Sequence, residues 1–254
     1  MDNLKVIVEY DGSNYYGWQR LNNKKSIQGT IEKALKKVYN KKIKIHGSGR
    51  TDAKAHAKGQ VFNFLVSNSI EIKRLKKILN DYLAKDIFIK SIEIVDKKFH
   101  SRYSAKSKIY NYKIYNAQDK DVFKSKYSYH VRNELNIEKM KKASNILIGK
   151  HDFSSFCGSM KSSRTKIREI YSIDILENGK EIIFKIHGNG FLYKMVRTIV
   201  GNLIYIGLEK ISESDLKEIL LKTNIKYSKF TAPAQGLYLT EVFYLKPWQT
   251  VCLW

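Results

Sequence analysis

The apolar residues of this 254-residue chain keep changing their spacing, and that constrains the fold more than any other feature of the sequence. Apolar positions two apart mark a half-buried strand; positions three and four apart mark a helix face. Leu4, Val6, Val8 and Tyr10 alternate with Lys5, Ile7 and Glu9, which predicts a strand ended by an Asp11-Gly12 turn. Ile27, Ile31, Leu35 and Val38 then recur at helical spacing, with Ser26 placed to cap the helix. Short strands are expected at 43–45 and 61–66, on either side of a glycine-rich loop. Ile72, Leu75, Ile78, Leu79 and Tyr82 form a second helical stripe, with Lys73, Arg74, Lys76 and Lys77 on its other face, and 87–95 reads as a strand.

The rhythm returns in the second half. Residues 109–115 read as a strand and 137–147 as a helix. Residues 170–176 and 182–187 read as a hairpin closed around Asn178-Gly179. Leu192, Met195, Val196, Ile199, Val200, Leu203 and Ile204 give a buried helix. Ser212 with Asp215 three residues on has capping-box spacing, and 239–245 is a last strand. Strands outnumber helices and hairpins recur, so an α+β fold with a mostly antiparallel mixed sheet is expected. Two similar α+β halves are expected, 1–105 and 106–254, although no internal repeat is visible.

Charge narrows the partners. There are 47 Lys and Arg against 24 Asp and Glu, a formal net of +23. Such an excess suits a polyanionic partner, nucleic acid first, or else a lysine-rich solvated surface. The only cysteines, Cys157 and Cys252, make neither a disulfide framework nor a metal-ligand spacing, which fits a reducing cytoplasm. Met1-Asp2-Asn3 leads straight into a strand, so no signal peptide is expected, and no apolar run nears the ~20 residues that span a bilayer. No membrane partner is therefore expected.

The most unusual segment is Gly47-Ser48-Gly49-Arg50-Thr51-Asp52-Ala53. Two glycines allow a tight turn and close backbone approach. A carboxylate near a guanidinium stays ionised at neutral pH, which suits a nucleophile or electrostatic stabiliser better than a general acid. Read alone, the loop is also compatible with an Asp that caps a turn. The composition alone would fit a non-catalytic RNA-binding module. His46, Asp52 and His56 could be read as ligands of a metal-dependent nuclease, although a carboxylate beside arginine makes a poor ligand set.

A larger pattern bears on these alternatives. Tyr10-Asp11-Gly12, Tyr16-Gly17-Trp18-Gln19-Arg20, Ser26-Ile27-Gln28 and Gly49-Arg50-Thr51-Asp52-Ala53 with His56 occur in order. Phe99-His100-Ser101-Arg102-Tyr103-Ser104-Ala105, Tyr110-Asn111-Tyr112 and His151-Asp152-Phe153 follow. The run from Gly188 to Arg197, Ala232-Pro233-Ala234 and Gly236-Leu237-Tyr238-Leu239 complete the series. In this the chain resembles the tRNA pseudouridine synthase A family over nearly its whole length. Lys54, Ala55, Ala84 and Ser101 stand where that family usually has Gly, Val, Pro and Ala.

The resemblance implies a pseudouridine synthase-like fold with a central active-site cleft. It implies isomerisation of uridine to pseudouridine in the anticodon stem-loop region of tRNA, by a cytoplasmic homodimer. Asp52 would be the catalytic carboxylate, acting at C1′, at C6 or on a ribose proton, with Arg197 as its pairing cation. Tyr110 would stack on uracil and handle a proton. Arg50, Phe191 and Leu239 would contact substrate; Phe191 and Leu239 read equally well as core. The chemistry moves a glycosidic bond from N1 to C5 and calls for no redox step, metal or donor, so no cofactor is expected. A stacked uridine must be flipped out at a cost of a few kcal/mol. Lys41, Lys42 and Lys44, the basic face of 73–77, and Lys161, Arg164, Lys166 and Arg168 are candidates to hold the RNA backbone against that cost.

Overall fold

A computed structural model describes residues 1–68, 70–159 and 165–244. The chain divides into two compact units. The first comprises Met1–Lys106 joined by the chain from Tyr238, the second Ser107–Leu237. Each is α+β and built on a mostly antiparallel sheet.

In the first unit the strand order is β4 (Ile87–Val95), β1 (Asp2–Tyr10), β3 (His56–Val66) and β10 (Leu237–Phe243), with the short β2 (His46–Gly47) also on β3. β1 pairs antiparallel with β3, Val6 opposite Phe62, and with β4, Val6 opposite Ile92. β10 runs parallel to β3, Leu239 opposite Ala57. Leu4, Val6, Val8 and Tyr10 are buried as the alternation predicts. β3 is buried along nearly its whole length, as a central strand must be. Its Phe62 and Phe64 are fully buried, each contributing about 1.5–3 kcal/mol.

α1 (Ile27–Tyr39) begins at Ser26, whose side chain accepts the Gly29 N–H, and ends at Asn40 in the left-handed region. Ile27, Ile31 and Leu35 are its buried stripe. α2 (Ile72–Tyr82) buries a narrower stripe than its sequence suggests, Leu75 and Leu79, while Tyr82 is half-exposed.

The strand expected at 43–45 does not form. The Ile45 N–H goes instead to the buried Glu32 carboxylate of α1 (3.3 Å), which also accepts from Gln28 (3.0 Å) and Arg20 (2.9 Å). The chain reaches the sheet only at β2, where His46 sits opposite Asn63.

In the second unit the order is β5 (Ser107–Asn116), β9 (Glu181–Gly188), β8 (Ile167–Asn178) and β7 (Gly149–Asp152), with β6 (Tyr129–Val131) parallel to β5. The hairpin at Asn178-Gly179 is present, with Gly179 at φ +59°. α3 (Ile137–Ser144) stops short of the expected 147 and tightens into a 3₁₀ turn. α4 (Met195–Gly207) carries the expected buried stripe from Met195 on, Leu192 being buried just before the helix, and α5 (Glu213–Leu221) has the full Ser212–Asp215 capping box. Leu245, expected to end the last strand, lies outside the described residues.

Candidate active site

The loop bearing Asp52 leaves β2 and is hydrogen-bonded on both flanks. On one flank stands Gln60 of β3, fully buried. Its Oε1 accepts from the Ser48 hydroxyl (2.7 Å) and the Val61 N–H (3.1 Å), and its Nε2 donates to the Gly49 carbonyl (3.1 Å). The Ser48 N–H donates to the Val61 carbonyl (2.7 Å). On the other flank is the segment between β1 and α1. Tyr10 and Thr51 share a hydroxyl–hydroxyl hydrogen bond of 2.8 Å. The Trp18 N–H donates to the Thr51 carbonyl (3.1 Å), and the Lys54 N–H to the Tyr15 carbonyl (3.1 Å). Thr51 is buried, Asp52 half-buried and Arg50 exposed. Burial pushes the Tyr10 phenol upward, with the Thr51 and Gln60 hydrogen bonds opposing in part, so this group stays neutral.

Two glycines are explained by close approach. Gly17 has φ +86°, and a Cβ there would lie 2.5 Å from the Thr51 carbonyl oxygen. A Cβ on Gly47 would lie 2.5 Å from the Trp18 indole nitrogen. The Tyr10-Asp11-Gly12 and Gly17-Trp18 motifs thus form the bed on which the Asp52 loop lies. Lys54, where a glycine is usual in the family it resembles, sits at φ +66°, a conformation costing an L-residue roughly 1–2 kcal/mol.

His56 is buried behind the same loop. Its Nδ1 accepts the Gly12 N–H (3.1 Å), and its ring stacks on Tyr238 with centroids 4.7 Å apart. Among the described residues, no three His, Cys, Asp or Glu side chains converge to hold a metal ion, so His46, Asp52 and His56 do not form the ligand set a nuclease reading needs. Leu239 is fully buried in β10.

In the second unit Tyr110 lies on β5, buried, and meets the Phe191 ring edge-on with centroids 5.2 Å apart. Phe191 is half-buried in the loop that follows β9. That loop is held by paired hydrogen bonds between Asn189 and Glu169, each 3.0 Å. Arg197 stands in the first turn of α4, half-buried. Its Nε donates to the Ala232 carbonyl (2.7 Å), and the Ala232 N–H donates to the Arg197 carbonyl (3.0 Å). The Tyr112 hydroxyl donates to the next carbonyl, Pro233 (2.7 Å). Burial pushes the Tyr112 phenol well up, and the Arg197 charge opposes that shift. The segment 232–234 therefore holds Arg197 through Ala232 and is itself held by Tyr112 through Pro233.

Asp52, Arg50 and Leu239 thus belong to the first unit, and Tyr110, Phe191 and Arg197 to the second. Sequence reasoning missed Gln60, Tyr10, Trp18 and Ala232 as supports. Their only signal is membership of the ordered motif series or closeness to it. Of the candidate RNA contacts, Lys41, Lys42, Lys44, Lys73, Arg74 and Lys77 are exposed. Arg168 instead donates to the Thr165 and Ile167 carbonyls (3.2 and 2.6 Å). Lys161 and Arg164 lie outside the described residues. No helix among the described residues is long and apolar enough to cross a membrane.

Comparison with known proteins adds a family. A model described as tRNA pseudouridine synthase matches residues 6–104 and 143–245. A relative from Acetivibrio thermocellus named tRNA pseudouridine synthase A is 43% identical over 244 residues, 96% of this chain and 100% of its own. One from Bacillus cereus named tRNA pseudouridine synthase A 2 is 41% identical over 243 residues, 95% of this chain and 99% of its own. A chain from a solved archaeal box H/ACA Nop10–Cbf5 complex is a distant likeness, with 11% identity, a TM-score of 0.38, and coverage of 91% of this chain and 58% of its own.

Proposed function

The chain belongs to the tRNA pseudouridine synthase family, and we propose that it isomerises uridine to pseudouridine in the anticodon stem-loop region of tRNA with Asp52 as the essential carboxylate. The reaction breaks C1′–N1, turns the uracil and forms C1′–C5; N1 gains a proton and C5 loses one, so atoms and electrons balance within the nucleotide. The protein must supply a fixed carboxylate, a hold on the loosened base and a group that moves a proton. The observation that carries the reading is the double anchoring of the Asp52 loop. Hydrogen bonds from Gln60, Tyr15 and Trp18 to its backbone, and from Tyr10 to its Thr51 side chain, hold the loop on both flanks, which a merely turn-capping Asp does not require.

In this reading Tyr110 packs against the base and takes the C5 proton, and Phe191 and Leu239 supply apolar contact. Arg197, its guanidinium set by Ala232, is the counter-charge of the reacting carboxylate, and Arg50 contacts a phosphate. The net charge of +23 supports a polyanionic substrate. The reading also places the enzyme in the cytoplasm as a homodimer.

The test is Asp52→Asn, which keeps size and removes charge. The purified variant should form no pseudouridine in tRNA while still binding it. Substantial turnover by this variant would remove Asp52 from the essential role. A pseudouridine map of tRNA from cells with and without the gene identifies the target uridines.

A further inference from the structure

The segment Phe99–Ser104 is not used by the catalytic reading, yet it is densely hydrogen-bonded. Asn3 donates from its side chain to the carbonyls of Asp96 (3.0 Å) and Phe99 (2.8 Å), and the Phe99 N–H donates to Asp96 (2.9 Å). Ser101 is fully buried; its N–H donates to the Asn63 side chain (2.9 Å) and its hydroxyl to the His46 carbonyl. Asn63 is in turn fixed by Asn3 (2.9 Å). The His100 N–H meets the Ser104 hydroxyl (3.1 Å), the Ser104 N–H returns to the His100 carbonyl (2.9 Å), and the Arg102 N–H donates to His100 Nδ1 (3.2 Å).

What this turn presents outward is aromatic. Tyr103 is 76% exposed. Its ring lies 4.3 Å from that of His100, centroid to centroid, and His100 lies 4.9 Å from His46. The Arg102 guanidinium carbon is 6.0 Å from the Tyr103 ring. A single exposed tyrosine is ordinary. An exposed ring flanked by a second ring and a guanidinium, on a turn whose N–H groups at Phe99, His100, Ser101, Arg102 and Ser104 are hydrogen-bonded, is a surface with part of its ordering entropy met before any ligand arrives. Partial burial and the neighbouring His46 and Arg102 push the His100 pKa down, so the imidazole is a neutral backing ring at neutral pH.

Position gives the ring its use. His46 accepts from Ser101 at the start of β2, and Asp52 follows His46 by six residues, at most ~20 Å of extended chain. We propose that Tyr103 is a stacking platform for an unpaired base of the RNA other than the reacting uridine. It holds a base near the target while that uridine is out of its stack. Aromatic faces accept any base, so the platform takes sequence-varied loops. This inference rests on the proposed action on tRNA.

The experiment replaces Tyr103 with Ala, Leu and Trp and measures the dissociation constant for a tRNA transcript, KM and kcat, and sedimentation of the free protein. Tyr103→Ala should weaken binding roughly 5- to 150-fold, with the loss in KM more than in kcat. Tyr103→Trp should bind like the wild type, and Tyr103→Leu like the Ala variant. Wild-type affinity in Tyr103→Ala would overturn the proposal, as would Leu serving as well as Trp, which would mean plain apolar contact. A changed sedimentation coefficient in Tyr103→Ala would also overturn it, marking the ring as a contact between protein chains. If the wild type forms no pseudouridine but Tyr103→Ala loses RNA affinity, the catalytic reading fails and the platform stands. If the wild type isomerises and Tyr103→Ala binds unimpaired, the platform alone fails.

Discussion

Replacing Gln60 by Leu tests whether the Asp52 loop is held in the way its hydrogen bonds suggest. Leucine fills most of the volume and removes both amide atoms. The buried Ser48 hydroxyl and Val61 N–H and the half-buried Gly49 carbonyl each lose a partner. A buried group left unsatisfied costs about 1–3 kcal/mol, and the Ser48 hydroxyl can rotate toward another acceptor, so the other two groups sum to roughly 2–6 kcal/mol. Against a total stability of about 5–15 kcal/mol this is large. At about 2–4 °C per kcal/mol, the melting temperature should fall by at least about 4 °C. Catalysis should suffer further at temperatures where the variant is folded. A displacement of the carboxylate by about 1 Å costs on the order of 100-fold, and it should appear in kcat more than in tRNA affinity. Calorimetric melts and a pseudouridine assay at 20–25 °C read the two effects separately. Adding Ser48→Ala to Gln60→Leu should cost little more, because the two side chains act through one bond. A Gln60→Leu protein that melts within a degree or two of wild type and keeps its kcat would refute the reasoning.

Removal of the Tyr110 hydroxyl in Tyr110→Phe should leave tRNA binding intact and cut turnover roughly 10²- to 10⁴-fold, whereas Tyr110→Leu at near wild-type rate would place this residue outside the chemistry. Binding should weaken linearly in log–log form as salt rises, by about 0.7–0.9 per phosphate contact; a flat titration would reduce the +23 charge to surface solvation. Stability should also fall in alkali. Burial raises the phenol pKa values of Tyr10, Tyr15 and Tyr244, so above about pH 10 the unfolded chain loses protons that the folded chain keeps, and unfolding is favoured as pH rises. Urea melts at pH 8 and pH 11 that superimpose would contradict this.

The elements with several turns or several alternations could be read from spacing alone. β1, α1, β4, the β8–β9 hairpin and the α5 cap are where the apolar pattern and capping residues put them. Misreadings have local causes. Ile43-Lys44-Ile45 alternates like a strand, but a carboxylate 13 residues before Ile45 claims its backbone. β6 and β7 are three and four residues long, too short for a period to show. β3 begins at His56, five residues before its apolar run, because β1 and β10 pair with residues that carry no strand signal themselves. Among the candidate site residues, Asp52, Tyr110 and Arg197 stand out through the order of motifs. Gln60, Tyr10 and Ala232 do not, since what they hold lies 11, 41 and 35 residues away and only the folded register discloses it.

The return of β10 to β3 has a consequence for how this protein is born. His56 and Ala57 gain their partners Tyr238 and Leu239 only when the last described strand has been made. At about 5–20 residues per second, a ribosome needs roughly 9–35 s to go from the end of β3 to the end of β10. Throughout that time the segment just after the Asp52 loop has no partner for one edge, and an open edge invites pairing with other chains. The first unit is therefore finished last, and a nascent or truncated chain lacking β10 should aggregate through the strand that carries Gln60.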